Sequence, residues 1–313
     1  MKIGFIADPL GTFNTKKDST YAMMVEASRR GHELYAMLQQ DLVWKRGTVS
    51  GRMSRLAIQP DPKHWYEAGA AVETPLRDLD CVLMRKDPPF DIEYVTTTWM
   101  LEQAQREGAR IFNDPRALRD HSEKLALTQF AQFAPPTLVS RSAAELQGFI
   151  TEHADVVLKP LDGMGGHSIF RVTDNDVNRN VIIETLSEHG ARTVMAQRYS
   201  PEIRDGDKRV LVIDGKPAPY CLARIPKPGE TRGNLATGGT GVARPLSARD
   251  REIAEAIGPE LARRGLLLVG LDVIGDYLTE VNVTSPTCFQ EIRDQTGFDV
   301  PGMFIDAVEK GCA

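Results

Sequence analysis

The chain has 313 residues, 42% of them hydrophobic and 26% charged, which is enough for two or three compact units of ordinary globular composition. A formal net charge of −5 argues against a nucleic-acid or membrane-surface role, since those need clustered positive charge. The N-terminal run MKIGFIADPL lacks the apolar core of a signal peptide, no 18-residue apolar run occurs, and four scattered cysteines without a C-x-x-C spacing read as reduced thiols, so a cytoplasmic protein is expected. Six equally dispersed histidines speak against zinc.

Lys2–Asp8 reads as a first strand ending in a polar loop, Pro9–Lys17. A helix from about Ser19 to Arg30 follows, stopped by Gly31, and then a second strand, Glu33–Leu38. Leu79–Met84 is a third strand, breaking at Arg85-Lys86-Asp87-Pro88-Pro89. A helix at about Ile92–Glu107 and a strand at Arg110–Asn113 continue an alternation that predicts an open α/β sheet. Ligands of such sheets sit beyond the carboxyl ends of the strands, where the 9–19 loop and Arg85-Lys86 would lie. Lys16, Lys17, Ser19, Arg85 and Lys86 form a locally cationic set there, and ordinary surface lysines are the competing reading.

Arg116–Phe130 reads as a helical segment carrying Lys124. Thr137–Ser140 is a short strand, and Ser142–Glu152 is a helix capped by Ser142. Val156–Lys159 is a strand that enters the glycine-rich loop PLDGMGGHS, and Ser168–Val172 is the strand that leaves it. A Walker loop or a dinucleotide fingerprint would lead into a helix, so neither is present. A hairpin whose backbone amides close over phosphates beside Lys159 fits, as does a tight hairpin with glycine for turn geometry alone. Val194–Tyr199, Arg209–Ile213 and Ala218–Arg224 are further strands. Ile225–Arg244 then holds five glycines and two prolines in twenty residues with no apolar period, which predicts a lid. Arg224, Lys227 and Arg232 would close it on anions. Ser247–Arg264 is an amphipathic helix with a Ser247/Asp250 capping signal, interrupted at Pro259 and ended by Gly265.

The stretch LVGLDVIGDYLTEVNVTSPT (Leu268–Thr287) predicts two strands, Val269–Ile274 and Leu278–Val283, around a Gly275-Asp276 turn signal. Glu280 and Asn282 are two apart and share a strand face. A three-residue turn, Gly275–Tyr277, would set Asp272 opposite Glu280, whereas a two-residue turn would pair it with Thr279 on the other face. Two carboxylates and an amide are hard oxygen ligands that suit Mg²⁺ or Mn²⁺ together with phosphate oxygens; a solvated face of an exposed hairpin is the alternative.

In order, these features are Lys124, Lys159 before DGMGG, MAQRY, Asp207-x-x-Val210, a glycine-rich lid and D…E-x-N. The set resembles the ATP-grasp ligases. The runs MRKDPPFD (Met84–Asp91), VLKPLDGMGG (Val157–Gly166), PYCLARIP (Pro219–Pro226) and GETRGNLA (Gly229–Ala236), with the Val269–Cys288 stretch, resemble the prokaryotic glutathione synthetase family over essentially the whole chain. The resemblance implies an α/β ATP-grasp fold: an N-terminal open α/β domain (1–121), a central ATP-lid domain (122–200) and a C-terminal metal-binding domain (201–313) with a flexible loop at 225–244. It implies that Lys124 and Lys159 bind ATP phosphates under the Gly163, Met164, Gly165 and Gly166 hairpin. Gln197, Arg198, Tyr199 and Ser200 would hold adenine, and Asp207 the ribose. Asp272, Glu280 and Asn282 would hold Mg²⁺ (or Mn²⁺), while Arg209, Arg224 and Arg232 neutralise the transferring phosphoryl group and substrate carboxylates. Lys17, Ser19, Arg85, Asn282, Ser285 and Thr287 would position the substrate. The implied reaction joins γ-glutamylcysteine to glycine through an acyl phosphate, with small-molecule partners and a homotetramer. A different ATP-grasp carboxylate–amine ligase and a non-catalytic ATP-binding module are the rivals. Cys288, near the substrate residues, is expected to be structural, because no base lies at a recognisable spacing.

Overall fold

The computed structural model describes residues 1–235 and 238–313; Ala236 and Thr237, inside the expected lid, lie outside the described residues. The N-terminal unit contains β1 (Lys2–Ile6), α1 (Ser19–Arg29), β2 (Glu33–Met37), β3 (Leu42–Lys45), β4 (Thr48–Ile58), β5 (Tyr66–Ala68), β6 (Val72–Pro75), β7 (Cys81–Met84), α2 (Ile92–Arg106) and β8 (Ile111–Phe112). The sheet runs β3-β4-β2-β1-β7-β8, with β5 and β6 added on β4. Strands β2, β1, β7 and β8 are parallel, and β4 joins them antiparallel. Helix α1 starts where the Asp18 carboxylate accepts the Tyr21 amide, at 2.7 Å. Strands β3–β6 fill a stretch for which no element was expected. Their sequence is rich in Ser, Arg and Thr because one face is solvated, so the apolar alternation is thin.

The expected helix over 116–130 breaks into α3 (Pro115–Asp120) and a 3₁₀ turn at Leu125–Phe130. Between and after them the chain runs along a sheet edge. The Glu123 carbonyl accepts from Val281 N (2.9 Å) and the Phe133 carbonyl from Leu278 N (2.9 Å). Carbonyls given to a distant strand of the chain are not available for a helical ladder, so tertiary pairing overrides local propensity here.

The central unit is β9 (Thr137–Ser140), α4 (Ala143–His153), β10 (Asp155–Pro160), β11 (Phe170–Thr173), α5 (Arg179–Ser187) and β12 (Val194–Arg198). Its antiparallel sheet runs β11-β10-β12-β9, with Leu146, Ile150 and Ile183 of the helices packed on Leu158 and Val194. Helix α5 was not expected, since its Val-Ile-Ile run has no clear helical period.

The C-terminal unit is β13 (Asp207–Ile213), β14 (Lys216–Ile225), β15 (Thr240–Pro245), α6 (Ala248–Arg263), β16 (Leu268–Ile274) and β17 (Tyr277–Asn282), in the order β15-β14-β13-β16-β17, followed by α7 (Phe289–Thr296) and α8 (Val300–Cys312). The last part of the expected lid is therefore strand, with Thr240 paired to Ile225 and Arg244 to Cys221. The apolar period is absent from β15 because it is an outer strand with no fully buried side chain. Helices α7 and α8, not expected from the sequence, return to the N-terminal unit. Phe289, Phe304 and Val308 share one core with Ile3, Ala22 and Met23, and Arg30 of the α1 end reaches Asp306 at 2.6 Å and Glu309 at 3.0 Å. The Asn113 side chain bridges units: it donates to the Leu268 and Val283 carbonyls (2.8 and 2.9 Å) and accepts from Leu268 N (2.9 Å).

The β16–β17 hairpin corrects the expected turn. Ile274 pairs with Tyr277, so the turn has two residues, yet Asp272 still stands opposite Glu280. The register shifts between Asp272 and Val273, because Val273 pairs with Leu278 and Thr279 is the extra residue of a β-bulge. One inserted residue swaps faces, which restores the alignment that a three-residue turn would have given.

Candidate active site

Side chains two apart on a strand share a face, and this rule assembles the site from four neighbouring strands. Asp207 and Arg209 lie on β13, Arg224 on β14, Asp272 on β16, and Glu280 and Asn282 on β17. Register aligns Arg209 with Asp272 and Asp272 with Glu280 in one row, and Asp207 with Arg224 in the next. Arg209 Nε donates to Asp272 Oδ1 at 2.6 Å, and Arg224 Nη2 reaches Asp272 Oδ2 at 3.0 Å and Asp207 Oδ2 at 2.5 Å. Gly270 makes room for this, since a Cβ there would lie 2.8 Å from Arg209 Cδ. Burial alone would raise the Asp272 carboxyl, but Arg209 and then Arg224 outweigh it and hold it well below the usual carboxylate range. Asp207 goes the other way. Burial pushes it up to about 6 with Arg224 opposing, and its Oδ1 is buried without a hydrogen-bond partner.

Glu280 faces two lysines of the central segment: Lys124 Nζ at 3.2 Å and Lys159 Nζ at 3.8 Å from Oε1. Burial holds the Lys159 ammonium below its ordinary value, with Glu280 opposing. Lys124 also donates to the Gly163 carbonyl at 2.5 Å, which ties it to the glycine hairpin. That hairpin meets the lid. Arg232 Nη1 donates to the Gly166 carbonyl at 3.2 Å, and a Cβ on Gly166, where φ is +81°, would lie 2.7 Å from Asn234 Oδ1. Arg232 is otherwise paired with Glu230 at 2.6 Å.

Two cavities open around this centre. The first lies between the central and C-terminal sheets. Its apolar wall is Pro135, Val157, Ile169, Ile203 and Ile274, and Gln197–Ser200, Asp207, Lys124, Lys159, Gly163–Gly166 and Arg232 also line it. Gln197 donates to Thr137 Oγ1 (3.2 Å), Arg198 to the Tyr277 hydroxyl (3.0 Å), and Arg171 stacks 3.8 Å over the Tyr199 ring. The second is lined by Asp87, Glu123, Arg209, Arg224, Asn282, Thr284, Ser285, Thr287 and Cys288. Gly163–Gly165, Asn234, Asp272 and Glu280 line both, so the charged end of one cavity opens into the other.

Of the expected substrate residues, Asn282, Ser285 and Thr287 line the second cavity, whereas Lys17, Ser19 and Arg85 line neither. Ser19 is buried, its hydroxyl accepting the Phe289 amide (3.2 Å) at the start of α7. Lys17 is exposed on its loop. Arg85 is buried behind the site, donating to Thr20 Oγ1 (3.1 Å) and the Pro286 carbonyl (3.0 Å). Sequence reasoning passed over Glu123 and Asp87, which hold the same loop: Glu123 Oε1 accepts from Val283 N, Thr284 N and Thr284 Oγ1, and Asp87 Oδ1 from Ser285 Oγ. Each sits one or two residues from a motif lysine, in company that looks like ordinary surface charge. Cys288 is buried and in the left-handed region (φ +88°) before α7, and burial raises its thiol against Arg209 and Arg224, the opposite of an activated thiolate.

The residues present fit a hard divalent cation. Among the described residues no group of three Cys, His, Asp or Glu side chains converges, and a cation here would take the carboxylates of Asp272 and Glu280 with the Asn282 amide oxygen. Asn282 Nδ2 donates to the Gly270 carbonyl at 3.2 Å, so its amide oxygen is the atom that would face a cation. Such a set leaves coordination positions for phosphate oxygens.

A mixed α/β fold with a glycine hairpin, two buried lysines and an acidic strand pair around shared cavities defines an ATP-grasp ligase. The solved D-cycloserine synthetase DcsG superposes on the chain with a TM-score of 0.69 at 14% identity, covering 100% of each chain, which shows the fold. The family described as "Prokaryotic glutathione synthetase, N-terminal domain" matches residues 1–119, and "Prokaryotic glutathione synthetase, ATP-grasp domain" matches residues 123–297. A glutathione synthetase of Nitrosomonas europaea is 59% identical over 100% of this chain and 99% of its own, and one of Ralstonia nicotianae is 60% identical over 99% and 96%. The chain belongs to the prokaryotic glutathione synthetase family, and it is an ATP-dependent ligase that forms glutathione.

Proposed function

We propose that the first cavity takes ATP and the second takes γ-glutamylcysteine and then glycine. The observation that carries this reading is the shared wall of Gly163–Gly165, Asn234, Asp272 and Glu280, where the end of a nucleotide would meet an acceptor carboxylate. A carboxylate and an amine do not condense at neutral pH, because oxide is not a leaving group. The dipeptide's glycyl-accepting carboxylate attacks the γ-phosphate of ATP, ADP leaves, and an acyl phosphate forms. The glycine amine then attacks that carbonyl and phosphate leaves with the former carboxyl oxygen.

The chain's residues supply position and charge. Lys124 and Lys159 take the phosphates, the Gly163–Gly166 hairpin covers them, and the Pro135–Ile274 wall with Gln197–Ser200 holds adenine. The unpartnered Asp207 Oδ1 accepts from a ribose hydroxyl. Arg209 and Arg224 face the transferring group, with Arg232 above it on the lid. Asp272, Glu280 and Asn282 would hold Mg²⁺ or Mn²⁺, which when bound neutralises phosphate charge. Ser285 and Thr287 hold the dipeptide, with Arg85 acting behind them through the Pro286 carbonyl. No helix among the described residues is long and apolar enough to cross a membrane and the four cysteines are unpaired, in keeping with a cytoplasmic enzyme. The test is ADP release measured with each substrate omitted in turn. Release that requires both γ-glutamylcysteine and glycine is the expected result; equal release with an unrelated carboxylate–amine pair overturns the assignment of the second cavity.

A further inference from the structure

Strand β17 lies at the edge of its sheet and ends at Asn282, so the amides beyond it have no partner strand. Glu123 supplies that partner. Its carbonyl accepts from Val281 N (2.9 Å), and its Oε1 accepts from Val283 N (2.9 Å), Thr284 N (3.1 Å) and Thr284 Oγ1 (2.9 Å). Charge-assisted bonds of this kind are the stronger class, and three on one oxygen fix the direction in which the chain leaves the strand. The segment so aimed carries Ser285, Thr287 and Cys288, all of which line the second cavity, as does Glu123 itself. From the opposite side the segment is held by the N-terminal unit, through Arg85 to the Pro286 carbonyl and Asp87 to Ser285. The next residue along from Glu123 is Lys124, whose ammonium lies 3.2 Å from Glu280. One dipeptide, Glu123-Lys124, thus touches both the acceptor loop and the phosphate end of the site.

We propose that Glu123 is a positioning residue for the ligation: through Val283 and Thr284 it sets Ser285 and Thr287 at a fixed distance from the Lys124 phosphate site, so that the acceptor carboxylate meets the γ-phosphate in line. This rests on the reading of the second cavity as the dipeptide site. Misplacing reacting groups by about an ångström costs roughly 100-fold in rate, so a carboxylate that touches neither phosphate nor the reacting carbon can still control turnover.

The test uses the full-length enzyme with Glu123→Ala, Glu123→Gln and Thr284→Ala, measuring kcat and KM for each substrate and the Kd for ATP by nucleotide fluorescence. Glu123→Ala is expected to lower kcat/KM for γ-glutamylcysteine at least tenfold while the ATP Kd stays within twofold. Glu123→Gln keeps an acceptor oxygen in place and is expected to restore kcat/KM to within about threefold of wild type. Thr284→Ala removes one of three donors and is expected to lie between, which keeps the idea testable should Glu123→Ala fold poorly. Equal losses in the Gln and Ala variants, or folded variants with unchanged kcat/KM, would overturn it. Ser285→Ala separates this from the underlying site assignment: if it lowers kcat/KM for the dipeptide while Glu123→Ala does not, the cavity reading stands and the role of Glu123 falls, and if neither variant changes that kcat/KM, both fall.

Discussion

At Asp272 burial and charge pull in opposite directions. Desolvation disfavours the carboxylate, and two guanidiniums within 3.0 Å reverse the balance. The same arrangement makes Asp272→Asn a double lesion: it removes a carboxylate proposed to hold the cation and leaves Arg209 and Arg224 buried against a neutral amide, where breaking a buried pair costs about 3–5 kcal/mol. Glu280 is more exposed and its partners are two lysines of the central segment, so Glu280→Gln is expected to cost little stability yet lower kcat/KM ~100-fold or more. Full activity of Glu280→Gln at millimolar Mg²⁺ would remove it from the site. His121 provides a second test at this scale. It is buried, its Nε2 has no partner, and desolvation, helped by Arg264, lowers it from 6.5 to about 4. The folded state keeps it neutral while the unfolded chain binds a proton below pH 6.5, so stability is lost as pH falls from 6.5 towards 4. By pH 4.5 the loss from this group is about 2–3 kcal/mol. Urea unfolding of wild type and His121→Leu at pH 7 and 4.5 should show the variant's pH dependence flatter by that amount; parallel dependences would contradict the assignment.

Among the elements, the β16–β17 hairpin and the segment 226–239 carry residues that the proposed function uses. The Thr279 bulge brings Asp272, Glu280 and Asn282 to one face, and the Thr279 hydroxyl donates back to the Asp272 carbonyl at 3.1 Å. The lid proper is 226–239, between the ends of β14 and β15, shorter than the glycine content alone suggests. Its Arg232 touches the Gly166 carbonyl, so lid and glycine hairpin meet over the shared end of the two cavities. An acyl phosphate hydrolyses readily, so a cover over this end of the site is proposed to exclude water. Replacing 226–239 by a short glycine linker is expected to leave ATP binding measurable while cutting glutathione formation severely, with phosphate released in excess of glutathione made. A ratio that stays near one in the lidless variant would show that the loop does not shield the intermediate.

Across the whole molecule, the site belongs to no single unit. Lys124 and Lys159 come from the central segment, the acidic hairpin from the C-terminal sheet, and the acceptor loop is braced by Arg85 and Asp87 of the N-terminal unit. Helices α7 and α8 fold back onto α1, which joins the two ends of the chain in one core. Val43 and Trp44 on β3 and Val72 on β6 leave apolar surface exposed on the N-terminal sheet. In a homotetramer such surface is a natural contact. Light scattering coupled to size exclusion is expected to report four chain masses for the wild type and a smaller species for Trp44→Arg; a monomeric wild type would refute the tetramer.

What the sequence by itself determined was mostly local. Most strands, the Ser142 and Ser247 caps, the glycine hairpin after Lys159 and the shared face of Glu280 and Asn282 all follow from periodicity and turn chemistry among residues a few positions apart. The run of motifs from Met84 to Cys288 added the family. Only the tertiary structure decided the rest, and the reason is the same each time: pairing between distant segments outweighs local preference. Carbonyls given to the β17 edge break the helix expected over 116–130, and one bulge residue, not turn length, sets the register of Asp272. Ser19 and Arg85 are engaged with α7 and the Pro286 carbonyl and line neither cavity, because a side chain's partner can lie about 200 residues or more away. The role of Glu123 was hidden for that reason too, since its three donors sit 160 and 161 residues further along the chain.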